Sequence, residues 1–519
     1  MKIKQNQTKP KTSAGGSAEV YMEVGEADPK QYKQTLRKHR TMKSSSPIIL
    51  SAAVLATFSL PPALRAQAPA PAAQAPAQVA LPDGVRHPEE IKNLTPEMAK
   101  LLVNRFRGGR LELSGLTTLD AVTAQMLAGF PYKYIGLSGL TTLDTETAKA
   151  LAENKNGGSL DLSGLTTLDT ETAKALAEYE GNVDLSGLTT LNAETAKALA
   201  EFKGYKLDLS GLTTLDAETA KALAESKVGD LILKGLTTLD TETVKALAEF
   251  KGGPSGGLSL GLTTLDAETT KILAGFKGDS LNLNGLTTLD TETVKALAEF
   301  KGGLSLGLTT LDAETAKALA WFKHGLSLDG LTTLDAETAK ALAEFKGYVL
   351  DLSGLTTLDA EAAKALAEFK GSELRLTGLT TLDTETAKAL AEFKGVDLHL
   401  SGLTTLDAET AKALAERKRR SLYLNSLTTL DTETAKALAE SNAYLLYLSG
   451  LTTLDAETAK ALAEYKGKVL FLGGLTTLDT ETAKALAEYK GEVLRLVDLP
   501  TLDTESAKAL EKFKGRISY

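Results

Sequence analysis

LDLSGLTTLDAETAKALAESKVGD, residues 207–230, contains the signals for one strand, one turn and one helix. Leu207-Asp208-Leu209 alternates apolar, polar, apolar, which predicts a short strand with both leucines on one face. Ser210-Gly211 predicts a turn, after which Leu212 and Leu215 are expected to point inward. Asp216 is a short acceptor placed to bind the free N–H groups of a helix start. Asn192 replaces it in a neighbouring copy, and Asn is another strong capping residue. Glu218 in the first turn suits the helix dipole. Ala220, Leu223 and Ala224 then recur at helical spacing and define one apolar face. Most copies end in Lys-Gly, as at Lys203-Gly204, which predicts a cation at the helix C-terminus and a left-handed glycine cap.

The unit repeats along the chain. LTTLD or a close variant begins at Leu116 and recurs through Leu475, and Leu499 opens LPTLD as the seventeenth copy. The expected helix of about ten to twelve residues would be marginal alone in water. No unit can bury its own leucines, and full burial is worth about 1.5–3 kcal/mol per leucine. Stacking is therefore required, and stability is expected to be cooperative along the array. Strand, turn, helix and return within so few residues force neighbouring strands parallel, with helices on the far side. At about 4.8 Å per strand the array would span roughly 80 Å.

These words resemble those of leucine-rich-repeat proteins, nearest to the helix-backed, ribonuclease-inhibitor-like type. The strand word Leu207-Asp208-Leu209-Ser210-Gly211 and the helix word Ala220-Lys221-Ala222-Leu223-Ala224 carry the resemblance, which covers residues 92–519. It implies an α/β solenoid with a parallel sheet on the concave face and short helices on the convex face. Two anchors depart from the family: its Asn after the strand is Leu212 here, and its leucine three residues before the strand is Gly204. Thr213 and Thr214, present in nearly every copy, are expected to replace the asparagine ladder with a hydroxyl ladder.

Outside the repeats, residues 42–68 read as a signal peptide: Lys43, an apolar run from Pro47 to Leu60, then Ala66-Gln67-Ala68. Residues 1–41 read as disordered or as a mis-assigned start, residues 69–87 as an Ala/Pro/Gln-rich linker, and residues 88–110 as a capping half-repeat. The tandem copies then fill 111–519. The expected location is exported: periplasmic, cell-surface or extracellular. Membrane contact would come only through an uncleaved signal segment, whose apolar run is shorter than the roughly 20 residues that span a bilayer.

The chain of 519 residues has no cysteine, which excludes disulfides, thiolate metal sites and a cysteine nucleophile. Its formal charge is −9, but residues 1–68 carry +7, so the remainder carries −16. A body this acidic argues against a nucleic-acid partner. Gly257-Leu258-Ser259-Leu260-Gly261 and Gly303-Leu304-Ser305-Leu306-Gly307 match a hydrolase elbow motif. Both arise where a copy loses one residue after its strand, so each serine is expected to be an outward strand residue. The many Asp-x-Glu pairs recur too regularly for a unique catalytic or metal site. No enzyme activity and no cofactor are expected.

Where near-identical copies differ, they point to function. The residue between the two strand leucines runs Glu112, Gly136, Asp161, Asp184, Asp208 at the start, and Arg375, His399, Tyr423, Tyr447, Phe471, Arg495 at the end. Those last six are expected to form one stripe on the concave face, a binding surface for a protein or a polysaccharide. Trp321 and Phe322, replacing Glu-Phe beside a shortened unit, are a secondary candidate contact. Arg417-Lys418-Arg419-Arg420 is expected to be a solvated helix end, or less simply an anion site. Residues 250–325, with the insertion Gly252–Gly257, are expected to be the least regular and first to open. The competing reading of the whole is a structural spacer without a discrete ligand.

Overall fold

A computed structural model describes residues 88–518 apart from 106–108, 130–132, 254–255, 418–420, 498, 500 and 501. The proposed start, signal and linker segments (1–41, 42–68 and 69–87) lie outside the described residues, as do Lys418, Arg419 and Arg420. Within the described residues, eighteen short strands alternate with eighteen short helices. Each strand pairs in parallel with the next one in the chain, from Arg110–Glu112 to Arg516–Ser518, so one open sheet results. The chain is an α/β solenoid of the leucine-rich-repeat kind.

The register follows the leucines. Leu350, Leu374, Leu398, Leu422, Leu446, Leu470, Leu494 and Ile517 stand opposite one another in successive strands. All but Ile517 are fully buried. A strand of three residues thus has one wall of leucine and one outward face. The final strand, Arg516–Ser518, follows the seventeenth helix word and makes one strand more than the repeat count predicts. At the other end Thr95 Oγ1 accepts from the Met98 N–H, and Leu94, Met98, Ala99 and Leu102 cover the first repeat as a cap.

Helices are shorter than expected. Ala217–Ala224 has eight residues, because the chain then tightens: Glu225 and Ser226 donate to carbonyls three residues back, Ala222 (3.3 Å) and Leu223 (3.0 Å). The start is as predicted, with Asp216 Oδ1 accepting from the Thr219 N–H at 2.8 Å. Asn192 does the same for Thr195 at 2.9 Å.

The left-handed glycine cap is found at one Lys-Gly end, Lys251-Gly252 (φ 62°), and is otherwise a correction. Glu225 after the helix is right-handed (φ −77°), and the positive-φ glycines among the described residues are Gly157, Gly252 and Gly256. Gly204 is needed for space instead of conformation. A Cβ there would meet the Gly181 carbonyl oxygen at 1.8 Å and the Phe202 ring at 2.5 Å. Where the loop reads Lys-Gly, as here, it lies so close to the preceding repeat that a side chain would clash; Val228, His324 and Ala443 hold the same place in repeats whose loops differ.

The expected threonine ladder forms in part, and a second one is buried beside it. Thr213 and Thr214 are exposed. In several repeats the first threonine joins its neighbour through both backbone and hydroxyl: Thr356 donates to the Thr332 carbonyl from its N–H at 3.1 Å and from Oγ1 at 3.4 Å, and the Thr309 and Thr476 hydroxyls do the same toward Thr287 and Thr452. The buried hydroxyl ladder belongs to the third helical residue. Thr243 Oγ1 lies 3.1 Å from Asp240 Oδ2 and 3.4 Å from the Leu215 carbonyl of the preceding repeat. A buried donor needs a partner, and in several repeats it ties the helix start to the previous turn.

A second ladder of rings lies behind the sheet, between the helix ends and the strands. Phe345, Phe369 and Phe393 stack with centroids 5.8 and 6.0 Å apart, and Tyr465, Tyr489 and Phe513 follow at 6.1 and 5.9 Å. Arg417 interrupts it and is only 2% exposed, so the expectation of a solvated basic helix end fails for its first residue. Its Nη1 donates to the Phe393 carbonyl at 2.8 Å and its Nη2 to Gly395 at 3.4 Å. The guanidinium fills a ring-sized site and bonds the loop of the preceding repeat, as the tyrosine hydroxyls do elsewhere in the ladder.

Candidate functional site on the sheet face

The outward column is built by register alone. Asp351, Arg375, His399, Tyr423, Tyr447, Phe471 and Arg495 are partners in adjacent parallel strands, each flanked by buried leucines. The six residues of the expected stripe are brought together in one row.

The rings stack on one another. His399 to Tyr423, Tyr423 to Tyr447 and Tyr447 to Phe471 have centroids 4.0, 4.2 and 3.8 Å apart, with planes within 16°. Arg495 lies over the other side of Phe471, its guanidinium carbon 5.3 Å from the centroid. Rings on this face are closer than the roughly 4.8 Å between strands. The ladder behind the sheet is wider, at 5.8–6.5 Å. Repeats converge on the sheet's outward face, so the sheet lines the inner, concave side of the bend.

The upstream end is a polar network. Glu373 Oε1 accepts from Arg375 Nε at 2.6 Å and from His399 Nε2 at 3.0 Å, and Arg375 Nη1 lies 3.5 Å from Asp351 Oδ2. Burial lowers the His399 pKa and Arg375 adds to the effect, while Glu373 opposes it. At neutral pH the imidazole is therefore mainly neutral and donates its Nε2–H to Glu373. Burial, helped by hydrogen bonding with Tyr447, raises the Tyr423 pKa above the ordinary phenol value, so the hydroxyl stays protonated.

Sequence reading missed the flanks. The strand position two residues earlier faces the same way and carries Leu445, Val469 and Val493 beside Tyr447, Phe471 and Arg495. Tyr348, Val396 and Tyr444 lie on the rim where the chain enters the strands, exposed by 57%, 44% and 45%, and Val497 follows the strand of Arg495 at 50% exposure. The same copy-by-copy comparison, applied to the position just before each strand and two residues earlier in it, finds them. Gly473 leaves a notch beside Phe471: an added Cβ would sit 3.7 Å from Ser449 Oγ and 3.8 Å from Val497, in ordinary contact.

Other candidates resolve differently. Trp321 is 72% exposed on the helix side, but Phe322 is fully buried in the ring ladder and stacks on Phe345 at 6.3 Å. Phe322 is thus not a surface contact; its place is set by the core. Ser259 and Ser305 sit mid-strand in Gly257–Leu260 and Gly303–Leu306, paired with Asn282 on the strand between them. No sharp strand-to-helix elbow presents either one. Among the described residues no group of three or more His, Asp or Glu side chains is placed to hold a metal ion. No helix among them is long and apolar enough to cross a membrane.

Strand, turn and helix, repeated in parallel register with the sheet inside the bend, make an α/β solenoid that resembles those of leucine-rich-repeat proteins. No protein-family profile matches the chain, and no curated protein sequence does. Many solved structures resemble it, among them the following two. One is an internalin (inlF) from Listeria monocytogenes, 13% identical, covering 82% of this chain and 89% of that one, with a TM-score of 0.22. The other is a chain of the Toll–Spatzle complex of Drosophila, 15% identical, covering 66% of this chain and 42% of that one, with a TM-score of 0.28. The class therefore rests on this chain's own repeat and register.

Proposed function

We propose that the protein is an exported, non-enzymatic scaffold that binds a protein partner through the concave sheet face of its last third. One observation carries this reading: four aromatic side chains stack in a continuous row with aliphatic side chains beside them, on the same outward face. Aromatic and Arg residues are enriched at binding hot spots. Export is inferred from residues 42–68 alone.

The ring geometry favours protein over polysaccharide. Sugars stack on ring faces, and here each of the two tyrosine rings has both faces covered by its neighbours. Ring edges, hydroxyls and aliphatic groups remain for a partner. A spacer without a ligand suits the first two-thirds of the column, where the outward residues are mostly acidic or small, but gives no reason for the stacked row.

The test is a pull-down from the native cell envelope with Tyr423 and Tyr447 both replaced by Ser. The expected result is loss of the captured protein, with the circular-dichroism spectrum retained. Unchanged capture of every partner would remove the stripe as the binding surface.

A further inference from the structure

The two ends of the stripe differ electrostatically. At the upstream end Arg375 is engaged by Glu373 and Asp351, and Asp397 lies in the same column as Glu373. That end has more carboxylates than cations. At the downstream end Arg495 rests against Phe471, with no carboxylate in ion-pair distance among the described residues. Arg516, exposed, stands on the next strand opposite Val493. Between the ends, stacking turns ring edges outward. Edges carry the positive part of the aromatic quadrupole, and tyrosine hydroxyls donate. The downstream half of the row therefore presents donors and positive potential above an aliphatic floor of Leu445, Val469 and Val493.

We infer that the partner's contacting segment is an acidic peptide stretch whose carboxylate is taken by Arg495 while its aliphatic side chains cover Phe471, Val469 and Val493. This deepens the binding reading above and rests on it. Charge complementarity selects the carboxylate, and the aliphatic floor selects a peptide over an anionic polysaccharide, which has no aliphatic side chains to bury. The body's net charge of −16 makes the choice sharper. An acidic segment is repelled from the acidic start of the column at Asp161, Asp184 and Asp208 and is accepted where the cations gather. At physiological salt only charges within about 8 Å matter strongly; the nearby Glu492 is paired with Lys468 at 2.7 Å, so Arg495 and Arg516 outweigh the distant carboxylates.

The experiment uses the full chain and three fluorescent octapeptides of alternating Leu/Glu, Leu/Gln and Leu/Lys, read by anisotropy at about 0.15 M salt. The Leu/Glu peptide is expected to bind about tenfold tighter than Leu/Lys, a difference of about 1.4 kcal/mol. Arg495→Gln should abolish that preference by weakening Leu/Glu binding more than Leu/Gln binding, and Phe471→Ser should weaken the Leu/Glu and Leu/Gln peptides alike. Equal or tighter binding of Leu/Lys overturns the proposal, as does an Arg495→Gln variant that keeps the preference. Arg495-dependent binding of alginate without peptide binding also overturns it, in favour of a polysaccharide. If the tyrosine double variant still abolishes capture of the native partner while the peptide preference is absent, the acidic-segment inference falls and the binding face stands.

Discussion

At the residue scale, Arg417 shows how the core treats a charge. Its upstream neighbour in the ladder is the Phe393 ring, 5.5 Å from the guanidinium carbon to the centroid; the downstream place is held by the small, buried Ser441, and the guanidinium donates to the Phe393 and Gly395 carbonyls. Hydrophobic replacement of a buried charge is often neutral or stabilising, whereas truncation leaves a cavity and unmet carbonyls. Arg417→Phe is expected to leave stability unchanged or raise it, and Arg417→Ala to cost about 2–4 kcal/mol. Urea unfolding followed by circular dichroism distinguishes them; equal losses would show that the hydrogen bonds, not the filling, hold this site. The glycine of Lys-Gly belongs to the same scale. Sequence spacing marked it as special, but the reason, a neighbouring carbonyl where a Cβ would be, exists only once repeats are stacked.

At the element scale, each helix depends on its first residue. With seven or eight residues, or ten in the capping helix Pro96–Arg105, it is below the length that persists alone. The aspartate cap and the threonine it holds tie it to the preceding repeat. Hydrogen bonds from the helix start lower the pKa of these cap carboxylates, as at Asp144, Asp169, Asp383, Asp407 and Asp431. A folded pKa below the unfolded value of about 3.9 adds stability that is complete above that value and is lost as pH falls through the folded one. The thermal midpoint is expected to be flat from neutrality to about pH 5 and to drop below about pH 4. A midpoint that keeps rising on acidification would contradict this. Asp216→Asn should keep the helix, as Asn192 does, while Asp216→Ala should cost about 1 kcal/mol.

The array has a weak stretch at the scale of the whole described body. Around residues 250–325 the copy spacing changes, Gly252 and Gly256 adopt positive φ, and the Phe276 and Phe300 rings tilt to 41°. Helix Thr291–Leu297 buries only Val294 and Leu297 of its own, against five residues for Ala336–Ala343. The strands there run to four residues, so the sheet is continuous while the helix layer is thin. Hydrogen exchange is expected to be fastest in helices Ala267–Ala274 and Thr291–Leu297, and slower in the adjoining strands. Uniform protection from 250 to 325 would sink this expectation.

The repeat LDLSGLTTLDAETAKALAESKVGD by itself determined the strand, the capped helix, the parallel order and the leucine wall, because each follows from local spacing and from the need to bury leucines shared between neighbours. It also located the stripe, since the column between strand leucines can be read straight down the copies. Tertiary structure alone decided what the stripe offers. Ring against ring at about 4 Å is a consequence of strand spacing and bend, and it turns faces inward and edges outward. It also decided that Phe322 and Arg417 are interior and that Val469, Val493 and Tyr444 join the site. Burial and stacking are sums over neighbouring repeats, so they cannot be read from one copy of the unit.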